Sequence, residues 1–369
     1  MTRSDFKTGF RRGACPRTAP LGPRAEKHLP RGTALRRQAG RPVRGHPLSG
    51  FGIASGLSGR ALVGLVAIAL AFSGCNRNNN AASAGGAPRV AFVMKTLNHP
   101  FFLDMQRGAQ EAAGPTGVEL VVQAAEREID VEKQMQIIEN LLQTAIKVLI
   151  VTPSGSREIA SAIVKANRAG VPVIVVDTRV DPKAITDNNL KIESFIGSDN
   201  YEGGRMAGEY LTKITGGKAR VGVLEGIPGH ETGDSRLRGF RDALQPHAGM
   251  NIVASQPANW ERDQGFTVFQ NMLQAHPDID ALFACSDLMA LGAIEAIAAA
   301  GQTNRIRVVG FDALDDARKA IAAGTMAASV AQSPRDMGRI AVESAAKLLR
   351  GEAIPADQKV PLSLVTKPQ

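Results

Sequence analysis

Residues 147–176, KVLIVTPSGSREIASAIVKANRAGVPVIVV, contain one strand–helix–strand unit. The segments 147–152 (KVLIVT) and 171–176 (VPVIVV) are rich in Val, Leu and Ile, and the stretch between them, 156–169, is long enough for a helix. Strands that are apolar on both faces are typical of parallel sheets with helices on both sides. This unit therefore predicts an α/β protein with a parallel sheet.

The same alternation runs along most of the chain. It begins with a strand at 88–94, pauses in a polar segment at 179–194, and restarts with a strand at 195–197. Two successive sets of βα units predict two similar domains with a cleft between them, and open α/β sheets bind ligands beyond the carboxyl ends of their strands. We therefore expect two Rossmann-like, doubly wound parallel-sheet domains, with a site built from the residues that follow each strand.

The residues at these strand ends combine flat aromatic rings with hydrogen-bonding groups. The candidate ligand-binding residues are His99, Phe101, Phe102, Asp177, Arg236, Trp260, Ser286, Phe311, Asp312 and Gln332. Carboxylate, guanidinium and amide groups pair with vicinal hydroxyls, and aromatic faces pack on the C–H faces of a sugar ring. Because the acids and the arginine roughly balance, the sequence predicts a neutral sugar as the ligand.

Several of these residues also have a purely structural interpretation. Trp260 could simply pack in the apolar core, and His99, which precedes Pro100, could stabilise a turn. Asp312 could cap the helix that begins near residue 314. Arg236 could form a surface ion pair, and Gln332 could be only a hinge residue.

Longer motifs around these positions resemble a known family. They are TLNHPFF (96–102), VPVIVVD (171–177), SDNYEGGRMAGEYL (198–211), SQPANWERDQG (255–265), AHPDIDALFACSDLMALGAIEAI (275–297), VVGFDA (308–313) and AQSP (331–334). In this order they resemble the bacterial periplasmic sugar-binding proteins of ABC uptake systems (type I periplasmic binding proteins), and among these the ribose-binding proteins. The resemblance covers residues 88–367.

The resemblance implies two lobes joined by a three-segment hinge near 198–199, 332 and 361, with one sugar in the interdomain cleft. The N-terminal lobe would comprise 88–198 plus 332–361, and the C-terminal lobe 199–331 plus 362–369. The candidate residues would be the sugar contacts, with His99 where the family often carries Asn and Trp260 where it often carries Phe.

Three positions depart from the ribose-type pattern on the polar edge of the site. Thr178 stands where an Arg follows the Asp, Ser286 replaces an Asn, and Lys95 replaces a Ser. Whether Arg179 substitutes for the missing Arg is open at this stage. A buried hydroxyl left unpaired costs about 1–3 kcal/mol, or one to two decades of affinity. The pattern therefore predicts a sugar more firmly than it predicts ribose.

The N-terminal region resembles a bacterial lipoprotein signal peptide. An apolar run at 61–72 is too short for the roughly 20 residues of a membrane span, and Ser73-Gly74-Cys75 and a polar tail follow it. In this interpretation 1–74 is removed, Cys75 is lipidated and 75–87 is a flexible tether. The basic segment 1–50 is either a real extension or the result of a start codon assigned too early, and we favour the second.

The net charge of +9 does not indicate a nucleic-acid partner. Residues 1–60 hold 13 of the 44 basic residues and two of the 35 acidic ones. This leaves 31 basic and 33 acidic residues in 61–369, a nearly neutral remainder.

Other chemistries lack their motifs. The His and Cys residues show no metal-ligand spacing, no GxGxxG follows the first strand, and no nucleophile elbow occurs. We therefore expect no enzyme, no metal and no cofactor. Cys285 is the one cysteine after the lipid site, which leaves no partner for an internal disulfide. His230 and His247 are expected to be solvated.

We predict a non-enzymatic, monomeric lipoprotein of the periplasm or cell envelope. It would capture a monosaccharide, a ribose-like pentose or a hexose, by hinge closure and deliver it to the permease of an ABC transporter. The alternative is a sensor that presents its closed form to a chemoreceptor or histidine kinase. A sugar-responsive transcription regulator would need an N-terminal helix-turn-helix, and 1–60 has too much Pro and Gly for one.

Overall fold

The computed structural model of the protein describes residues 86–303 and 305–367. The predicted signal segment, the lipid site at Cys75 and most of the tether lie outside these residues. Within them, no helix combines the length and the apolar character that crossing a membrane would require.

Strands and helices alternate along the described chain. The strands are β1 (Arg89–Thr96), β2 (Glu119–Ala125), β3 (Ile146–Val151), β4 (Val173–Val176), β5 (Ser194–Gly197), β6 (Lys218–Glu225), β7 (Gly249–Pro257), β8 (Ala281–Ala284), β9 (Arg307–Asp312), β10 (Ala328–Ala331), β11 (Asp357–Lys359) and β12 (Ser363–Thr366). The helices are α1 (Pro100–Thr116), α2 (Val131–Leu142), α3 (Ala160–Arg168), α4 (Pro182–Asn188), α5 (Asn200–Ile214), α6 (Glu231–Leu244), α7 (Arg262–Ala275), α8 (Asp287–Ala299), α9 (Asp315–Ala323) and α10 (Pro334–Leu349).

The first sheet joins six parallel strands in the order β11-β5-β4-β3-β1-β2. Both of its faces are buried. In β1, Phe92 and Met94 belong to one apolar cluster with residues of α1 and α10, whereas Ala91 and Val93 belong to another with residues of α2 and α3. Because helices cover both faces, most side chains of a central strand are apolar, which explains the segments rich in Val, Leu and Ile in 147–176.

The second sheet has the order β12-β10-β9-β8-β6-β7. Its pairs are parallel except for β12, which runs antiparallel to β10 at the edge. One apolar cluster holds this sheet and its helices together, with Phe240 of α6 stacked on Phe283 of β8 at 4.3 Å between ring centres. The predicted fold class, two doubly wound α/β domains with mainly parallel sheets, is confirmed.

The chain passes between the two sheets three times, through 198–199, 332–333 and 360–362. Helix α5 packs on α6 and on the second sheet, and α10 packs on α1 and on the first sheet. We call the first sheet with α1–α4 and α10 the first lobe, and the second sheet with α5–α9 the second lobe. The predicted domain limits stay a prediction about which parts move as rigid bodies.

The sequence patterns do not predict three of these elements. Helix α4 lies in the polar segment 179–194 and buries no side chain, so it leaves no apolar periodicity. Its start is nevertheless ordinary, because the carboxylate of the N-cap Asp181 accepts from the N–H of Ala184 at 2.9 Å and Pro182 follows the cap. Strands β11 and β12 have three and four residues without an apolar run.

Candidate functional site

A cavity of about 330 Å³ of empty volume lies between the two lobes. The residues that line it are Lys95, His99, Phe101, Phe102, Glu128, Asp177, Thr232, Arg236, Trp260, Ser286, Asp312 and Gln332. All of these side chains are buried.

Nine of the ten candidate residues line this cavity. The tenth, Phe311, is fully buried behind it, with its ring centre 3.7 Å from the guanidinium carbon of Arg236. Phe311 therefore supports a cavity residue and does not form a wall itself. The candidate set did not include Lys95, Glu128 and Thr232, which also line the cavity.

The backbone is strained where three of the cavity residues leave their strands or loops. Asp177, Trp260 and Asp312 have φ angles of 64°, 68° and 106°. Non-glycine residues adopt such values rarely, at a cost of order 1–3 kcal/mol, and these conformations cluster at functional sites. The local strain is consistent with side chains that are placed for binding and not for local stability.

Aromatic rings form opposite walls of the cavity. Phe101 and Phe102 lie in the first turn of α1 with their rings edge-to-face at 5.3 Å, and Trp260 belongs to the second lobe. Gly226 gives the indole its room, because a Cβ there would lie 2.0 Å from Trp260 Cζ2. A flat ligand with apolar faces fits between such walls.

His99 serves both the turn and the cavity. It is the N-cap of α1, and its Nδ1 accepts a hydrogen bond from the N–H of Phe101 at 3.0 Å. Burial lowers the pKa of His99, so the ring is held neutral. Because Nδ1 is an acceptor, the proton of the neutral ring must sit on Nε2, which makes that atom a hydrogen-bond donor.

The first lobe contributes a buried group of three ionisable side chains. The Nζ of Lys95 donates to Asp177 Oδ2 at 3.0 Å and lies 3.6 Å from Glu128 Oε2. Burial alone would raise the pKa of Asp177, but attraction to Lys95 and Arg236 outweighs burial, so this pKa lies below its ordinary value. Asp177 is therefore an ionised acceptor, and its second oxygen faces no protein donor among the described residues.

The second lobe contributes a guanidinium that is fixed on three sides. Arg236 donates through Nε to Asn200 Oδ1 at 2.9 Å and through Nη1 to the carbonyl oxygen of Cys285 at 2.7 Å. Its Nη1 also lies 3.5 Å from Asp312 Oδ1, which accepts from Gln332 Nε2 at 2.8 Å. Arg236 is thus a buried residue of the site, and Nη2 is left to donate to a ligand.

Asp312 does not cap the following helix. Asp287 accepts from the backbone N–H of Leu314 at 2.8 Å and from the hydroxyl of Ser329 at 2.7 Å. Burial raises the pKa of Asp312, and burial together with repulsion from Asp312 raises that of Asp287 well above its ordinary value. Asp287 therefore holds the loop, and Asp312 is free to contact a ligand.

Two polar atoms of cavity residues have no hydrogen-bond partner in the described part of the chain. They are Trp260 Nε1 and Ser286 Oγ, both buried. Buried polar groups in native proteins are nearly always paired. An unpaired donor and an unpaired hydroxyl in one cavity indicate a ligand with hydroxyl groups.

Arg179 does not take the place of the missing Arg at Thr178. Its Nη2 donates to Asp357 Oδ2 at 2.7 Å, and its guanidinium stacks 3.7 Å from the ring centre of Phe195. The side chain is 39% exposed and does not line the cavity. The cation beside Asp177 is Lys95 instead.

The expectation that His230 is solvated is wrong. The residue is buried at the N-cap of α6, and burial lowers its pKa to about 3. Its Nε2 lies 3.4 Å from the carbonyl oxygen of Pro153, which belongs to the other lobe. Within residues 86–303 and 305–367, no cluster of His, Cys, Asp or Glu has the arrangement of a metal site.

Comparison with known proteins gives a consistent picture. Residues 90–353 match the family model of the periplasmic binding protein domain. The chain is 39% identical to the ribose import binding protein RbsB of Escherichia coli (strain K12), over 78% of this chain and 93% of that protein. It is 35% identical to the D-ribose/D-allose-binding protein of Pseudomonas aeruginosa, over 76% of this chain and 89% of that protein.

A solved structure has the same fold. It is a periplasmic solute-binding protein of an ABC transporter from Actinobacillus succinogenes 130z with bound D-allose, with a TM-score of 0.72 and 36% identity. The match covers 76% of this chain and 98% of the solved chain.

Proposed function

The chain belongs to the periplasmic binding protein domain family, and on that premise we propose that it captures one monosaccharide between its two lobes for import by an ABC transporter. The observation that carries this proposal is the interlobe cavity. Aromatic rings, two cations and three acids from both lobes converge there on a space of about 330 Å³.

The chemistry of the walls fits a sugar better than other small molecules. Trp260 Nε1 donates only, whereas the free oxygen of Asp177 accepts only and the hydroxyl of Ser286 does both. A sugar presents hydroxyls that donate and accept in turn, on a ring whose faces are apolar. Such a ligand would satisfy the unpaired atoms and contact Phe101 or Phe102 at the same time.

We propose an aldopentose or aldohexose as the ligand. The two relatives named above are, by name, a ribose import binding protein and a D-ribose/D-allose-binding protein. The polar edge of this site contains Lys95, Thr178 and Ser286. The compact ammonium of Lys95 beside Asp177 can donate to a ligand oxygen, but it cannot form the planar bidentate pair that a guanidinium offers. We therefore expect the preference among sugars to depend on the hydroxyl that Lys95 reaches.

Closure of the lobes would link binding to transport. In the described conformation the hydroxyls of Thr178 and Thr232 are 3.0 Å apart across the cleft, and the N–H of Glu231 donates to Ser156 Oγ at 3.0 Å. A sugar that contacts both lobes would stabilise this closed state over an open one. The closed surface would then be recognised by the permease.

We further propose that the mature protein is a monomer held at a membrane of the cell envelope by lipid on Cys75. The support is the sequence pattern around Cys75 together with the family, whose members are periplasmic by description. The names of the relatives describe import and not sensing, so import is the function that we retain. A Cys75→Ser variant should appear in the soluble fraction of cells, whereas the wild type should fractionate with membranes.

A sugar panel tests the central proposal. Purified protein should show a rise in its thermal unfolding midpoint with one or a few pentoses or hexoses, and isothermal titration should give one site per chain. Trp260 is the only tryptophan, so its fluorescence should change with the same sugar. If a full panel of pentoses and hexoses changes neither signal, the proposal is wrong.

A further inference from the structure

Glu128 is a buried acid of the cavity wall whose charge is only partly compensated. It lies on the loop between β2 and α2 and is 8% exposed. Its nearest cation, Lys95 Nζ, is 3.6 Å from Oε2, but that ammonium donates to Asp177 at the shorter distance of 3.0 Å. Lys95 is therefore primarily the partner of Asp177.

The wall of the cavity carries one more acid than base. Its charged residues are Lys95, Arg236, Glu128, Asp177 and Asp312. Asp177 is paired with Lys95, and Asp312 lies 3.5 Å from Arg236. A neutral sugar adds no charge, so closing the cleft over one would enclose Glu128 as a carboxylate that shares its only nearby cation, Lys95, with Asp177. A carboxylate in that position is strongly disfavoured and neutralises by taking up a proton.

The other elements packed around Glu128 do not supply the missing positive charge. A side groove joins Glu128 to the cleft edge and is lined by Thr96, Asn98, His99, Glu126, Arg127, Trp260, Glu261 and Leu288. His99 is held neutral by burial. Arg127 is exposed and donates to Asp130 Oδ1 at 3.3 Å, while Glu261 adds a further acid from the second lobe. The groove also gives Glu128 a path to protons from solvent.

We propose that Glu128 is a sugar contact of the first lobe that acts in its protonated form, so that closure over a neutral sugar takes up a proton from solvent. The proton binds to a carboxylate oxygen of Glu128, which then donates one hydrogen bond and accepts others, as a sugar hydroxyl requires. This inference rests on the proposed function and adds to it a hydrogen-bonding role and a proton linkage.

The titration behaviour of Glu128 in the closed form agrees with the geometry. Burial raises the pKa of Glu128 above its ordinary value, and attraction to Lys95 offsets only part of this increase. Opening the cleft would return Glu128 to water and its pKa to the ordinary range. The closed form therefore binds more protons than the open form between the two pKa values, and the contribution of Glu128 to sugar affinity rises as pH falls through the closed-form pKa.

Isothermal titration in two buffers with different ionisation enthalpies measures this linkage directly. The sugar that gives the largest thermal shift is titrated into wild-type protein in phosphate and in Bis-Tris at several pH values between about 6 and 7. The same titrations are done with Glu128→Gln, a neutral isostere, and with Glu126→Gln. Glu126 lies on the same loop and in the side groove but is exposed, which makes it the matched control.

At the acidic end, we expect wild type and E126Q to take up more protons per bound sugar than E128Q, by at most about one. E128Q should bind the sugar without this contribution, so that the ratio of wild-type affinity to E128Q affinity rises as the pH falls. At each pH, the proton uptake of one variant is compared with that of another. This comparison is needed because His99 and His230 lose protons on closure, which offsets the uptake by Glu128.

Three results overturn the inference. One is equal proton uptake in wild type and E128Q. Another is loss of the linkage in E126Q. The third is a clear preference for an amino sugar over its neutral parent, since a cationic ligand would balance Glu128 without a proton. If sugar binds but the linkage is absent, this inference alone fails, whereas absence of any sugar binding refutes the proposed function itself.

Discussion

The Thr232→Val variant isolates one hydrogen bond between the lobes. The hydroxyl of Thr178 has a single proton, and it donates that proton to Asp177 Oδ2 at 3.0 Å. The hydroxyl of Thr232, 3.0 Å from Thr178 Oγ1, must therefore be the donor in the bond across the cleft. Valine keeps the shape of Thr232 and removes this donor.

The magnitude follows from the ordinary net value of a hydrogen bond between neutral groups. Such a bond contributes about 0.5–1.5 kcal/mol. A loss of about 1 kcal/mol in the closed state corresponds to about a fivefold weaker sugar affinity at 25 °C. Because this bond joins two lobes, its loss should change the free energy of unfolding of each lobe little.

Isothermal titration of wild type, Thr232→Val, Thr178→Val and the double variant separates this bond from direct sugar contact. If Thr232 acts through Thr178, the double variant should lose little more affinity than Thr178→Val alone, with a coupling energy close to the loss of Thr232→Val. Additive losses would mean that Thr232, which lines the cavity, contacts the sugar directly. An affinity change of less than about twofold in Thr232→Val would refute the reasoning on closure.

Three further predictions concern charge, pH and packing. Asp312→Asn should weaken sugar binding by on the order of 100-fold, because it removes the charge opposite Arg236 at a buried site, whereas the exposed Asp315→Asn on the next helix should have no effect in the same titration. His230 has a pKa of about 3 in the closed form, and opening should return it towards 6.5, so its contribution to affinity is present above pH 6.5 and falls by about tenfold per pH unit below it. His230→Gln should remove this loss, and a wild-type profile that matches the His230→Gln profile contradicts the assignment. Gly226→Ala should push the Trp260 ring out of place and cost about 1–3 kcal/mol through overpacking. Sugar titration followed by tryptophan fluorescence measures this effect, and an unchanged affinity would show that the indole can move freely.

The expectation that ligand-binding residues follow the strands predicts most of the cavity residues correctly. The reason is that topology alone brings the carboxyl ends of parallel strands together. Asp177 follows β4, Ser286 follows β8 and Asp312 ends β9, and each is found at the cavity. Phe311 precedes Asp312 by one residue and is fully buried behind the wall. The expectation selects a strand end but does not determine which of two neighbouring residues reaches the ligand.

The cavity residues outside the candidate set lie where local patterns have no signal. Lys95 is the seventh residue of an eight-residue strand, a place where a charged side chain is normally unfavourable unless it is paired. Its partner Asp177 is 82 positions away in the chain, and no periodicity links the two. Glu128 is on a loop with three charged neighbours, so its burial depends on the second lobe closing over it.

The distribution of charge between the lobes suggests why closure can be easy to reverse. The ion pair of Lys95 and Asp177 lies within the first lobe. Arg236 contacts Asn200, Cys285 and Asp312, which all belong to the second lobe. The hydrogen bonds between the lobes that involve residues 230–232 join neutral groups. Among the described residues, the ion pair that joins the two lobes is the exposed pair of Lys359 and Asp199 at a chain crossing. Opening the cleft therefore breaks no buried ion pair, whereas a desolvated ion pair across the cleft would be costly to break. The free energy that keeps the cleft shut must then come mainly from the sugar, which is the condition for a binding protein that has to release its ligand.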